Sequence, residues 1–371
     1  MLSSLTFGFA GTALVAPMGA FQDGCVVKSS SRWATPAEEG WLETAQFGVD
    51  PQHWLDGVSG IAYDPEVGVG VYEGRQGQIW ILDDDLTPVR SFGQIGEGPG
   101  ELEEVLGVFG RWPYPFRDLL AILDGRIYVS DQRGLHVFAS DGEFVETIVR
   151  IEGSGMGMAM GFGLRFLSPS AHEILLGHSI AEFGNWSAET FRTDRVDPSG
   201  QVSAMDSLVI RWPPNPAGQG IVNEARPIWA ARGRCVVFGD GHSPWLLRLD
   251  LNTGQADTLH LPDRDIRFEG RDFPEEARGL IAGRLGTSTA ASAMQKWSAV
   301  GIDPDGHIWL LGRREHGEDG PEFFRIGSDG EIVPESLAVF PRAFGPPGVI
   351  YSAQYDRMVG MIVSRYAHGP L

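Results

Sequence analysis

Three short segments repeat one pattern, an acid, one intervening residue and a base: Glu73 with Arg75, Asp131 with Arg133, and Asp240 with His242. Arg314 holds the base position in a fourth segment, while His178 and Gln354 stand at the acid position in two others. Charged side chains recurring in a repeat protein come to the same side, forming a ring suited to a polar small molecule, a glycan or a peptide. The same spacing also has a purely local use. An acid at the end of a strand accepts hydrogen bonds from its own turn, and the base that follows pairs with a neighbouring unit. His178 and His242, with Asp131 and Asp240, are the candidate ligands for a Ca or Zn ion in a central channel, where separate repeats converge. That set supports an alternative, enzymatic reading: a metal-dependent hydrolase or lyase.

Other chemistries find little support. The chain has no Gly-x-Ser-x-Gly elbow and no His-Glu-x-x-His metal signature among its nine histidines. His307 opens an apolar run and reads as a surface residue. The stretch SFGQIGEGPGELEE (Ser91 to Glu104) has the glycines of a phosphate cradle, but Glu101, Glu103 and Glu104 follow Gly100, and Pro99 removes a donor. Carboxylates at that point repel a polyphosphate, so a structural crossing is expected, with Glu97 and Glu101 as the residues open to a ligand.

The elements that position these residues follow from the repeat. The unit DGRIYVSDQRGLHVFASDGEFVETIV (Asp124 to Val149) reads as strand, polar turn, strand, Asp-Gly turn, strand. Related segments start at Gly68, Glu173, Arg234, Asp305 and Gly348, and short apolar runs such as SGIAY, DLLAI, RPIWAA and WSAVGI precede them. Six units of four antiparallel strands, with 50 Gly and 24 Pro for the turns, give an all-β chain, a six-bladed β-propeller. The sixth unit runs out of chain before its outer strand, and GWLETAQFGV (Gly40 to Val49) has no local partner. Ring closure by the N-terminal strand answers both, since an open edge is an aggregation hazard. RDFPEEARGLIAGRLGTSTAASAMQKW (Arg271 to Trp297) has helical periodicity and reads as one short helical insertion. The Met-Gly stretch from Gly153 to Gly163 reads as inter-blade packing.

The unit from Asp124 resembles an NHL-type repeat. The order of one blade, the glycine-rich stretch and the next blade is similar to bacterial six-bladed propellers of the NHL/YVTN-like group. The likeness implies the fold and, more loosely, an exported protein mostly without assigned activity.

Leu5 to Phe21 are apolar, uncharged and rich in small residues, so residues 1–24 resemble a secretory signal, although Met1 to Ser4 carry no basic residue. The propeller is expected over residues 32–371, with no integral span in the mature chain and a periplasmic or extracellular location. Cys235, in the apolar run CVVF, reads as a buried free thiol, and FQDGC lacks the flanks of a lipid-modified cysteine at Cys25. The functional expectation is an exported binding or scaffold protein with an unidentified protein, peptide or carbohydrate ligand.

Nucleic acid is excluded on charge. Lys and Arg number 29 against 49 Asp and Glu, a net charge of −20, so no general counterion-release gain is available. A gel-shift titration at physiological salt is expected to show no binding; sub-micromolar, salt-sensitive retardation would reveal a basic patch that defeats the net charge.

Overall fold

Short runs of β-branched and aromatic residues, punctuated by Asp-Gly and Gly-rich turns, form strands that assemble into six four-stranded antiparallel sheets. The computed structural model describes residues 25–28, 31–33, 40–105, 119–131, 133–150, 164–169, 173–181, 188–197, 199–211, 228–239, 241, 243–262, 297–312, 322–327, 330–335, 337, 339–356 and 358–368. After β1 (Trp41–Phe47) and a 3-10 turn at Pro51–His53, blade one is β2 (Val58–Asp64), β3 (Gly68–Glu73), β4 (Gln78–Leu82) and β5 (Pro88–Phe92). Blade two is β6 (Leu120–Leu123), β7 (Arg126–Ser130), β8 (Gly134–Ala139) and β9 (Phe144–Arg150). Blade three is β10 (Leu164–Pro169), β11 (Ile174–Ala181), β12 (Ala188–Val196) and β13 (Val202–Arg211). Blade four is β14 (Ile228–Arg232), β15 (Cys235–Gly239), β16 (Trp245–Asp250) and β17 (Gln255–His260). Blade five is β18 (Trp297–Ile302), β19 (Ile308–Gly312), β20 (Glu322–Ile326) and β21 (Ile332–Glu335). Blade six has β22 (Ala343–Phe344), β23 (Val349–Asp356) and β24 (Gly360–His368), with β1 as its fourth strand. The molecule is thus the expected six-bladed propeller.

The core lies between blades. Along β3, Val69 and Val71 enter a cluster shared with blade six, while Tyr72 enters one shared with blade two. Further clusters join blades two and three, three and four, four and five, and five and six. Each sheet is therefore covered on both faces, which is why its inner strands read as continuous apolar runs instead of alternating with polar residues.

Ring closure takes the expected form. β1 pairs antiparallel with β24 from Trp41 opposite His368 to Phe47 opposite Val363. Side chains reinforce the ladder: Tyr366 donates to Glu43 at 3.0 Å and accepts from Gln354 at 2.9 Å, linking β23, β24 and β1 in one row. Phe47 and Leu55 then carry the closing segment into the blade six to blade one core. Gly48, at φ +94°, lets the chain turn there, because a Cβ would stand 2.6 Å from the Met361 carbonyl oxygen.

The segment before β1 also packs, which the cysteine reading did not foresee. Cys25 and Cys235 form a disulfide, so Cys235 is not a free thiol, and a bridged Cys25 has no sulfur left for a lipid. The expectation failed because an apolar run says that a cysteine is buried, not that a distant partner is carried onto it. Residues 1–24, the helical stretch up to residue 296 and the whole Met-Gly stretch (153–163) lie outside the described residues.

Removal of residues 40–49 exposes the β24 edge and opens the blade six to blade one core. The shortened chain is expected to lose solubility and melt well below the parent in a thermal scan; an unchanged monomer with an unchanged transition would show that blade six holds with three strands.

Candidate functional site

Successive strands of a blade alternate in direction, so the turns between second and third strands lie on the same face as the crossovers that lead from one blade to the next. That crossover face carries the Glu73–Arg75 and Asp131–Arg133 segments. Glu73 is the last residue of β3, and Asp131 immediately follows β7.

Glu73 is fully buried. One carboxylate oxygen accepts from the backbone N–H of Gly57, in the incoming crossover, at 2.6 Å; the other accepts from Gln76, in its own turn, at 2.5 Å. Asp131 repeats the arrangement: Oδ2 accepts from Glu103, in the next crossover, at 2.8 Å, and Oδ1 accepts from Arg133 at 2.8 Å and Gly134 at 2.9 Å. Each acid therefore ties a crossover to a turn. The bases act alongside: Arg75 pairs with Asp56 at 2.9 Å, and Arg133 donates to the Glu101 carbonyl at 2.8 Å. Both guanidiniums remain about one-third exposed on the face.

The glycine-rich stretch is the crossover between blades one and two, as expected. Glu101 folds back to accept from the Gly98 N–H and the Gln94 amide, both at 2.6 Å, which together hold its carboxyl below the usual range. Val105 N–H donates to the Gly74 carbonyl at 2.8 Å, so one strip of chain spans the turns of two blades.

A buried polar cluster lies beneath. His136 sits with Nε2 2.9 Å from Asp131 Oδ1 and Nδ1 3.0 Å from Thr147 Oγ1. Burial disfavours the Asp131 carboxylate, but the His136 contact and the backbone donors outweigh it and lower its pKa. Burial, then the charges of Asp131 and Glu73, pushes the Tyr72 phenol up. For Glu73, burial dominates over the two backbone donors and raises the carboxyl to about 7.

The other expected site residues fall differently. His178 lies inside β11, which continues to Ala181, with Arg165 and Arg192 as its cross-strand neighbours. Asp240, His242 and Arg314 lie outside the described residues. Gln354 lies within β23 and serves ring closure. His307 is buried, not at the surface, 3.4 Å from Asp303, because its turn lies under the N-terminal segment. Among the described residues, no group of three or more His, Cys, Asp or Glu is placed to hold a metal ion.

Sequence reasoning passed over the exposed apolar residues of this face. Trp54, in the crossover from β1 to β2, is 50% exposed; Tyr355 is 55% and Met358 84% exposed at the β23–β24 turn. They are neighbours: the Trp54 indole lies against Gly360, which pairs with Asp356, the residue after Tyr355. The available signal was Trp54 itself, a large aromatic in the polar stretch PQHWLDG. An open groove of about 530 Å³ flanks the closing segment, lined by Phe47, Asp50, His53, Leu86 and Pro88 among others. Trp80 stacks edge-on with Phe47 and His53 close by, at 5.2 and 5.3 Å.

No protein-family model matches the chain, and no curated protein matches it. Its solved structural relatives include a member of the DUF4221 family from Bacteroides vulgatus, at TM-score 0.51 and 14% identity, covering 90% of this chain and 99% of that one. Regucalcin, described as a calcium-binding protein, from Agrobacterium tumefaciens aligns at TM-score 0.46 and 13% identity over 88% of this chain and 94% of its own. Virginiamycin B lyase from Staphylococcus aureus aligns at 0.41 and 12% over 88% and 98%. At these identities the likeness is one of fold.

The Glu73 carboxyl gives a pH signature with a definite sign. The unfolded chain releases this proton near pH 4.5, whereas the folded chain holds it to about pH 7, so Glu73's contribution to stability is complete below pH 4.5 and is lost as pH rises to 7. Urea unfolding at a series of pH values is expected to show the parent losing about 3 kcal/mol relative to Glu73→Gln across that window. A flat difference would show that the buried carboxyl titrates like an exposed one.

Proposed function

We propose that this chain is an exported binding propeller whose crossover face recognises a peptide segment of a partner protein. The observation that carries the reading is the grouping of Trp54, Tyr355 and Met358, all at least half-exposed, on the face that also holds Arg75 and Arg133. Trp, Tyr, Met and Arg are the residue types enriched at the buried centres of protein interfaces. The aromatic group stands on a closed ring and the guanidiniums on turns tied to crossovers, so little conformational freedom is lost on binding. Exposed carboxylates on the same face, Asp56, Glu97 and Asp356, favour a segment of basic character, in keeping with the net charge. Export is supported by the signal-like Leu5 to Phe21 and by the Cys25–Cys235 disulfide, a bond typical of oxidising compartments.

Fluorescence anisotropy against a panel of labelled basic, acidic and neutral peptides, with oligosaccharides as a second panel, tests the reading. A basic peptide is expected to bind, with Trp54→Ala and Tyr355→Ala each weakening Kd about tenfold or more at unchanged melting temperature. A binder indifferent to both substitutions, or oligosaccharides alone binding, would overturn it. Stoichiometric Ca or Zn that survives dialysis would instead favour the hydrolase or lyase alternative.

A further inference from the structure

The N-terminal segment crosses the face opposite the crossovers, where the turns between first and second strands lie. Its first contact is with blade four, through the disulfide to Cys235 and a 3.3 Å hydrogen bond from the Cys25 N–H to Asp250. Blade five comes next. Lys28 N–H donates to the Asp305 carbonyl at 2.8 Å; Lys28 and Arg32 pair with the Asp305 carboxylate at 2.6 and 3.2 Å; Ser31 donates to Asp303 at 2.6 Å. Gly306 permits this approach, since a Cβ there would meet the Val26 carbonyl. The segment ends at Trp33, buried in the blade five to blade six core, shortly before β1.

These anchors are unequal. Trp33 is fully enclosed, and a buried indole is among the hardest side chains to expose, so the C-terminal end of the strap is secure. Lys28 and Arg32 are more than half exposed, and ion pairs of that kind contribute little on their own. Among the described residues, no other contact of Cys25 to Lys28 rivals the covalent bond to blade four. Cys25 itself is only partly buried, packed at the margin of the blade four to blade five core.

We propose that Cys25 to Lys28, with Ser31 and Arg32, form a redox-controlled latch, closed across blades four and five by the Cys25–Cys235 disulfide and released from them when that bond is reduced, while Trp33 and β1 stay in place. Closure is exchange with a disulfide-bearing oxidant. One cysteine thiolate attacks the oxidant, forming a mixed disulfide and expelling one oxidant thiolate. The second cysteine thiolate then attacks the mixed disulfide, completing the Cys25–Cys235 bond and expelling the other. The two thiols of this chain lose two protons and two electrons, and the oxidant's disulfide gains them. A dithiol reductant runs the same steps in reverse. The latch lies away from Trp54 and Tyr355, so its behaviour is independent of what the crossover face binds.

Hydrogen exchange read by mass spectrometry on the full chain tests this, comparing the oxidised protein, the protein in dithiothreitol, the protein reoxidised with oxidised glutathione, and Cys235→Ser. The reporters are the amides of Cys25, Lys28 and Arg32, all hydrogen-bonded in the closed latch. Reduction and Cys235→Ser are expected to speed their exchange about tenfold or more, leaving β1 and the blades protected, and reoxidation is expected to restore protection. Unchanged protection on reduction would overturn the proposal, as would loss of protection throughout the chain, which would make the bond a global staple. So would release of the oxidised strap, to the same extent as by reduction, in a Lys28→Ala and Arg32→Ala double variant. Alkylation of both cysteines in unreduced protein would remove the bond on which the latch depends.

Discussion

Everything in this molecule depends on pairing the edge of the last sheet. Six blades bury their apolar residues only against one another, so a break anywhere in the ring exposes two sheet faces as well as a strand edge. Blade six has three strands of its own, and the fourth comes from the other end of the chain. The β1–β24 ladder thus makes the cores on either side of blade six conditional on a contact between residues more than three hundred positions apart. For such a contact the entropy of closing a long loop must be met before any of the pairing is gained.

The strap bears on the same constraint from the other direction. Once β1 is paired, Trp33 is already against blades five and six, and the eight residues before it need only a short excursion to reach Cys235. The disulfide therefore joins groups that ring closure has brought near, while constraining an unfolded chain in which they lie 210 residues apart. The entropic effect of a cross-link grows only slowly with the length of the loop it closes. Closure and cross-link support each other.

The architecture was legible because it is written in repetition: Asp-Gly turns, short β-branched runs and an unpartnered GWLETAQFGV are local signals, and radial stacking converts them into position. The acid-x-base segments were legible as a motif but not as a geometry. Nothing in the spacing of Glu73 and Arg75 says that the carboxylate faces inward to two backbone N–H groups; that depends on where the preceding crossover lands. Cys25 and Cys235 were illegible as a pair for a related reason, since their meeting needs the path of residues 25–33 over a face of the disc. Trp54 was visible, but an exposed indole and a buried one look alike until Gly360 is seen beneath it.

The two faces consequently divide the work of the fold in a way their polar residues explain. On the crossover face, Glu73 and Asp131 are turned into the structure and matched to backbone donors, while Arg75, Arg133, Trp54 and Tyr355 are presented outward beside the exposed carboxylates of Asp56, Glu97 and Asp356. On the opposite face the arrangement is inverted. Asp305 stands 1% exposed at a turn, and the cations that match it come from a separate segment, Lys28 and Arg32, laid over it from outside. A carboxylate satisfied by its own backbone needs no partner and can sit on an open, rigid face. One satisfied by a separate segment draws that segment into the fold: burial would raise the Asp305 carboxyl, but hydrogen bonds from Lys28 and Arg32 hold it at a pKa of about 2, the electrostatic tie between the strap and blade five.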